Sequence, residues 1–288
     1  MSGAEVFDAT PCALGEGPLW HPGLGQLFWF DILAGRLLTR EDGAARHWDF
    51  EGTVSAAGWV DDKTLLLASD SALLRFDLGT GASEVVAPLE PDVPGNRPND
   101  GRADPWGGFW IGTMDRDGTA PTGAIYRYYR GEVRRLFAPI TIPNAICFSP
   151  DGGHGFFSDT LSGQVQRVRL DPANGWPAAE PEVFLDLRAE RLNPDGAVMD
   201  AGGVFWNAQW GASRVAAYDA DGRFLRAVAV PARQSSCPAF GGPDLTTLFV
   251  TSARQGLSAE VLEAEPLNGQ TFAAEGVARG QAEHRVIL

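Results

Sequence analysis

CFSPDGGHGFFSDT, residues 147–160, is a turn followed by a strand-like run. Pro150, Asp151, Gly152 and Gly153 are turn formers, each for its own backbone reason. GFFSDT then reads as a short apolar strand bounded by turn residues. The same unit recurs along the chain. The turns LWHPG, GWVDD, RADPW, CFSPD, VMDAG and FGGPD align, with fourth residues Pro22, Asp61, Pro105, Pro150, Ala201 and Pro243. The intervals are 39, 44, 45, 51 and 42 residues, and the chain ends 45 residues after Pro243. Each turn precedes an apolar run such as QLFWFDI, TLLLAS, GFWIGTM or TLFVTS, and a second run such as ALLRFDL or QVQRVRL follows. Few stretches show helical periodicity. Six repeats of this length predict an all-β, six-bladed β-propeller with one four-stranded blade per repeat. One register running through 1–288 argues for a single domain over two separate β domains. EVFDA near the start and HRVIL at the end are predicted strands that close the ring, with the first and last blades sharing a sheet.

Composition narrows the partners. The 288 residues carry a net charge of −14. Nucleic acid and anionic membrane surfaces both require clustered Lys and Arg, so neither is an expected partner. No apolar stretch approaches the length of a membrane span. The first residues, MSGAEVFDATP, show no basic start and no apolar run, and so do not read as a secretory signal. Cys12, Cys147 and Cys237 are an odd number without metal spacing, which suits a reducing, cytoplasmic compartment. No obligate protein partner is evident.

Six residues before each aligned turn position stand Glu16, Ser55, Asn99, Asn144, Asp195 and Cys237. The repeat makes them equivalent, one per blade, and none is a large apolar residue. If this position opens the innermost strand, all six face one end of the central channel. Pro precedes the polar residue in RPNDG, IPNAI and NPDGA and can hold it rigidly. Asn, Asp and Pro are also ordinary turn formers. That alone does not account for a carboxylate or amide at one offset in four of six repeats, nor for Glu16. Glu16, Asn144 and Asp195 offer two carboxylates and an amide oxygen, a hard set suited to Ca²⁺, Mg²⁺ or Mn²⁺. Zn²⁺ and Fe²⁺ also accept such ligands.

The motifs LGEGPLW (14–20), NRPNDG (96–101), GTM (112–114), PNAICFSPDG (143–152), PDGAVMDAGG (194–203) and CPAFGGPDL (237–245) occur in that order. Together they resemble the regucalcin/gluconolactonase family of six-bladed propellers, over nearly the full chain and closest to its bacterial sugar-lactonase branch. The resemblance implies hydrolysis of sugar-acid lactones such as glucono-, xylono-, arabinono- or galactono-lactone, with one divalent cation in the channel, Ca²⁺ first. It implies metal ligands at Glu16, Asn144 and Asp195 and substrate contacts at Arg97 and Asn99. A further acidic substrate contact would fall on Asp117, in a loop (DRDGTAPTG) whose length and charge depart from the family pattern. Arg97 presents a rigid fork of donors for lactone oxygens or the carboxylate as it forms.

Asp195 is the first candidate for general base and Asp100 the reserve. Other chemistries find little support. His21, His47, His154 and His284 lack ligand spacing, no G-x-S-x-G elbow occurs, and Cys237 has no evident activator. Two further readings stay open: a Ca²⁺-binding propeller without lactonase activity, and a phosphotriesterase-like hydrolase. A cation such as Arg97 beside the ion favours an enzyme, because a pure ion site does not need it.

Overall fold

The repeat closes into a ring. A computed structural model describes residues 3–288, which form six four-stranded antiparallel sheets. The first strands of the six blades are Gly15–His21, Val54–Asp61, Asn96–Ala103, Pro143–Phe148, Asn193–Met199 and Ser235–Gly241. Each packs against the first strands of both neighbours, so these six line the axis. Burial falls outward across a blade. In the second blade, Val54–Asp61 is almost wholly buried, whereas the outer strand Ser83–Pro88 is mostly exposed.

Six apolar clusters hold the ring, each between two adjacent blades. Side chains alternate faces along a strand. Phe28 and Phe30 therefore pack toward the second blade with Leu65 and Leu67, while Leu27 and Trp29 face the sixth blade with Phe249. Because every blade face is shared, the apolar runs are nearly continuous, as strands buried on both faces should be.

The N-terminal strand Glu5–Asp8 pairs with Thr271–Ala274 and becomes the outer strand of the sixth blade. The N-terminal strand thus closes the ring within the sheet of the last blade, but HRVIL is not a strand. With the outer edge of that sheet already taken, the C-terminal tail crosses the far end of the channel instead. Val286 N donates to Trp59 O at 2.8 Å and Ile287 N to Gly107 O at 2.9 Å. Gln281 Nε2 donates to Phe148 O and Met199 O, and Glu283 pairs with Arg102 inside the channel. No helix among the described residues is long and apolar enough to cross a membrane.

Candidate active site

Every first strand carries a β-bulge at or beside the repeat position. In the third blade Pro98 pairs with Thr113 and Gly101 with Ile111, so Asn99 and Asp100 together oppose Gly112 alone. The other five first strands slip in the same way, next to Glu16, Ser55, Asn144, Asp195 and Cys237. A bulge re-aims the side chain beside it. That is how one position per blade comes to project along the axis. In the first blade the bulge needs Gly17 (φ 53°), where a Cβ would lie 2.3 Å from Ser55 O. In the fourth blade Ala145 takes the same left-handed conformation (φ 59°), a strain of the kind held at functional sites.

A cavity of about 350 Å³ opens at this end and is lined by Glu16, Arg97, Asn99, Asp117, Asn144 and Asp195 among others. All six candidate site residues therefore meet in one pocket. Ser55 and Cys237 share the repeat position but do not line it. A Cβ on Gly196 would lie 2.3 Å from Cys237 Sγ. There the first strands of neighbouring blades press together and the small side chains fill the contact. Burial pushes the Cys237 thiol well above its usual range, so it is not a thiolate nucleophile. Asp100 is buried outside the pocket lining, and its carboxylate accepts from Ile146 N at 2.7 Å.

A chain of hydrogen bonds runs round the wall of the pocket. Arg97 Nη1 donates to Pro98 O at 2.9 Å and to Asn99 Oδ1 at 2.8 Å. Asn99 Nδ2 donates to Pro143 O at 2.9 Å and to Asn144 Oδ1 at 3.2 Å. Asn144 Nδ2 donates to Thr160 Oγ1 at 2.8 Å, and that hydroxyl donates to Pro194 O at 2.8 Å. The three prolines before the repeat position thus serve as acceptors as well as rigid backbone. Arg97 Nε is buried without a partner.

Sequence reasoning missed the other lining residues, Arg116, Thr160 and Trp210 among them. None lies at the repeat offset. Arg116 adjoins Asp117 in the loop at the mouth, its Nη2 2.9 Å from Asp70 Oδ1 on the second blade. Trp210 ends the run VFWNAQW, where the only sequence signal was that of a core strand.

The electrostatics bear on whether a cation suits the site. Burial, then the Asp100 charge, pushes the Glu16 carboxyl up to about 8. Burial, then Glu16 and Asp100, pushes the Asp195 carboxyl far above its ordinary range. Burial lowers Arg97 only to about 10, so it stays cationic at neutral pH. Glu16, Asp100 and Asp195 thus form a cluster of mutually repelling buried carboxyls, with Arg97 acting on Glu16 and Arg102 on Asp100. Repulsion of this kind is relieved by protons or by a cation. The described residues contain no group of three or more His, Cys, Asp or Glu arranged for a metal. The set is instead two carboxylates plus the amide oxygen of Asn144, hard donors that fit a divalent cation.

One consequence is measurable without substrate. In metal-free protein, folded Glu16 keeps its proton to about pH 8, whereas its ordinary value is 4.5. The folded state then binds more protons than the unfolded state between those values, so stability falls as pH rises through that window. Melting temperature in chelator is expected to decline from pH 5 to 8, and added Ca²⁺ to restore it most at pH 8. The decline should shrink in Glu16→Gln; identical profiles for parent and variant would remove this carboxyl as its cause.

A six-bladed propeller with an acidic, oxygen-lined pocket over one end of its channel defines the class. Residues 14–254 match the SMP-30/Gluconolactonase/LRE-like region, and the chain belongs to that family. The crystal structure of a calcium-binding protein, regucalcin, from Agrobacterium tumefaciens str. C58 matches with a TM-score of 0.97 and 42% identity, covering 100% of this chain and 98% of that one. L-arabinolactonase of Azospirillum brasilense is 36% identical, over 98% of this chain and 95% of its own. 6-deoxy-6-sulfogluconolactonase of Pseudomonas putida is 34% identical, over 95% and 94%.

Proposed function

We propose that this protein is a divalent-cation-dependent lactonase that hydrolyses sugar-acid lactones to aldonic acids, acting as one propeller domain. The observation that carries this reading is the single pocket uniting Glu16, Asn144 and Asp195 with the Arg97–Asn99 pair. The named lactonase activities of relatives support it. Glu16, Asn144 and Asp195 would hold the cation, with Ca²⁺ the first candidate. When bound, such an ion polarises an acyl carbonyl and acidifies water.

The remaining chemistry falls to the chain. Arg97 has Nη1 committed to Pro98 and Asn99 and Nε sealed off by burial, so Nη2 is the donor left for a substrate hydroxyl or the forming carboxylate. Asn99 holds that guanidinium in place. Asp117, exposed at the mouth, accepts from hydroxyls at the far end of the sugar. Asp195 takes the proton of the attacking water as its oxygen adds to the acyl carbon. The ring C–O bond then breaks, and the ring oxygen leaves as a hydroxyl, receiving a proton from Asp195. The new carboxylic acid ionises and releases one proton per turnover.

That proton gives the test. Acid release from xylono-, arabinono-, galactono- and glucono-lactone in weak buffer is expected to exceed the spontaneous rate with a divalent cation, and to return to it after chelation. Acceleration that survives thorough chelation would refute the cation's role. Tight Ca²⁺ binding without acceleration of any lactone would establish a binding protein instead.

Arg97→Ala separates substrate from ion. Losing a charge-assisted hydrogen bond costs about 1.5–3 kcal/mol, a fall of roughly 10- to 100-fold in kcat/KM. Cation affinity should change far less, since Arg97 is not a ligand. Unaltered kinetics would remove Arg97 from the substrate site.

A further inference from the structure

An amide side chain can hold a hard cation only through its oxygen, so something must decide which way Asn144 faces. Turned over, it would present an NH₂ group to the channel and repel the ion. The decision is legible in the hydrogen bonds. Pro194 O is an acceptor only and lies 2.8 Å from Thr160 Oγ1. The one hydroxyl proton of Thr160 is therefore committed to it. What remains on Thr160 Oγ1 is acceptor capacity, and Asn144 lies 2.8 Å away. Asn144 must present Nδ2 to Thr160, which turns Oδ1 toward Asn99 and the channel. Asn99 is oriented by the same logic, because Pro143 O accepts only and Arg97 donates only.

From this arrangement we infer that Thr160 is a positioning residue: its hydroxyl, polarised by Pro194 O, sets the Asn144 amide oxygen toward the cation and ties the fourth-blade ligand to the strand that carries Asp195. The inference rests on the proposed cation site and adds a determinant of its affinity. Thr160 is placed for the task. It opens a short 3₁₀ turn, Thr160–Ser162, whose N-cap Asp159 accepts from Leu161 N. Asp159 also accepts from Thr141 N at 2.8 Å and Ile142 N at 3.1 Å, which clamps the turn against the segment leading to Asn144. Thr160 is buried, and so are both of its hydrogen bonds.

The test measures Ca²⁺ binding by calorimetry on the whole chain, with melting temperature in chelator as the control for folding. Thr160→Val keeps the shape and removes the hydroxyl. Outer partners of metal ligands typically contribute 10- to 100-fold in affinity, and a loss of that order, about 10-fold or more, is expected. Thr160→Ser keeps the hydroxyl and should recover binding to within a few-fold of the parent. Thr160→Ala removes the hydroxyl without any steric demand and is expected to follow Thr160→Val; it serves alone if the valine protein does not fold. A double-mutant cycle isolates the orientation effect. With Asn144→Asp both terminal atoms are oxygens, so Thr160→Val should add little further loss in that background. Parent-like Ca²⁺ affinity in Thr160→Val or Thr160→Ala would overturn the inference, as would an equal loss on top of Asn144→Asp. A parent protein that binds no divalent cation would instead overturn the cation site itself, and the inference with it.

Discussion

Asp195→Ala is expected to lose calorimetrically detectable divalent-cation binding and to bring lactone hydrolysis down to the spontaneous rate, with the ring still folded. Two roles converge on this side chain, ligand and proton acceptor, so its loss should exceed the 10- to 100-fold typical of outer partners. The strand that carries it does not depend on the carboxylate. Asn193–Met199 is held by pairing with Phe205–Trp210, and Asn207 Nδ2 donates to the backbone oxygens of Asp195 and Gly196 at 2.9 and 3.2 Å. Six inter-blade clusters carry the core. A variant that binds Ca²⁺ as tightly as the parent would place the site elsewhere.

Asp104→Ala is expected to show the reverse pattern, a large loss of stability with kcat/KM retained in the folded fraction. Asp104 lies in the turn after the third first-strand, beyond the end that carries Asn99. It accepts from Trp106 N at 2.9 Å and Gly108 N at 3.0 Å, and Arg127 Nε lies 2.6 Å from its other oxygen. Both side chains of the ion pair are fully buried. Arg127 is further held by Asn174 O at 2.8 Å and between the rings of Tyr129 and Trp176, at 4.3 and 4.5 Å. Removing one partner strands the other charge in a dry site, which typically costs about 3–5 kcal/mol. At about 2–4 °C per kcal/mol for chains of this size class, the melting temperature should drop by roughly 6–20 °C. Replacing both residues by apolar ones of similar volume should recover much of the loss, since the pair's own net contribution is small. A single variant melting within a degree or two of the parent would show that Arg127 finds water or another partner.

The reach of the sequence differed between fold and site for a physical reason. Blade number, blade order and the inward position were legible because a propeller repeats one local unit. The turn residues Asp61, Asp104, Asp151, Asp200 and Asp244 each cap backbone N–H groups a few residues away, and such contacts leave a mark at fixed spacing. Glu16, Asn99, Asn144 and Asp195 could be picked out because the bulge that aims them recurs with the repeat. Where HRVIL goes was not legible, because alternation marks a segment that can pair and says nothing about whether an edge is free.

What the sequence alone determined, then, was the ring and the chemical type of the residues at its mouth. The tertiary structure decided which of the six equivalent residues share a pocket. Ser55 and Cys237 are excluded by the close packing of neighbouring first strands at Gly17 and Gly196. It also decided what stands beside the ligands. Arg116, Thr160 and Trp210 stand at or just past the ends of the second strands of the third, fourth and fifth blades, where the residue type varies from blade to blade. The chain from Arg97 to Pro194 passes through three blades, and beyond Asn99 the direction of each hydrogen bond is set by a partner remote in sequence. A repeat encodes contacts within a blade and with its neighbour at fixed offsets. The orientation of an amide depends on which donors and acceptors several blades bring together, and only the closed ring brings them within bonding distance.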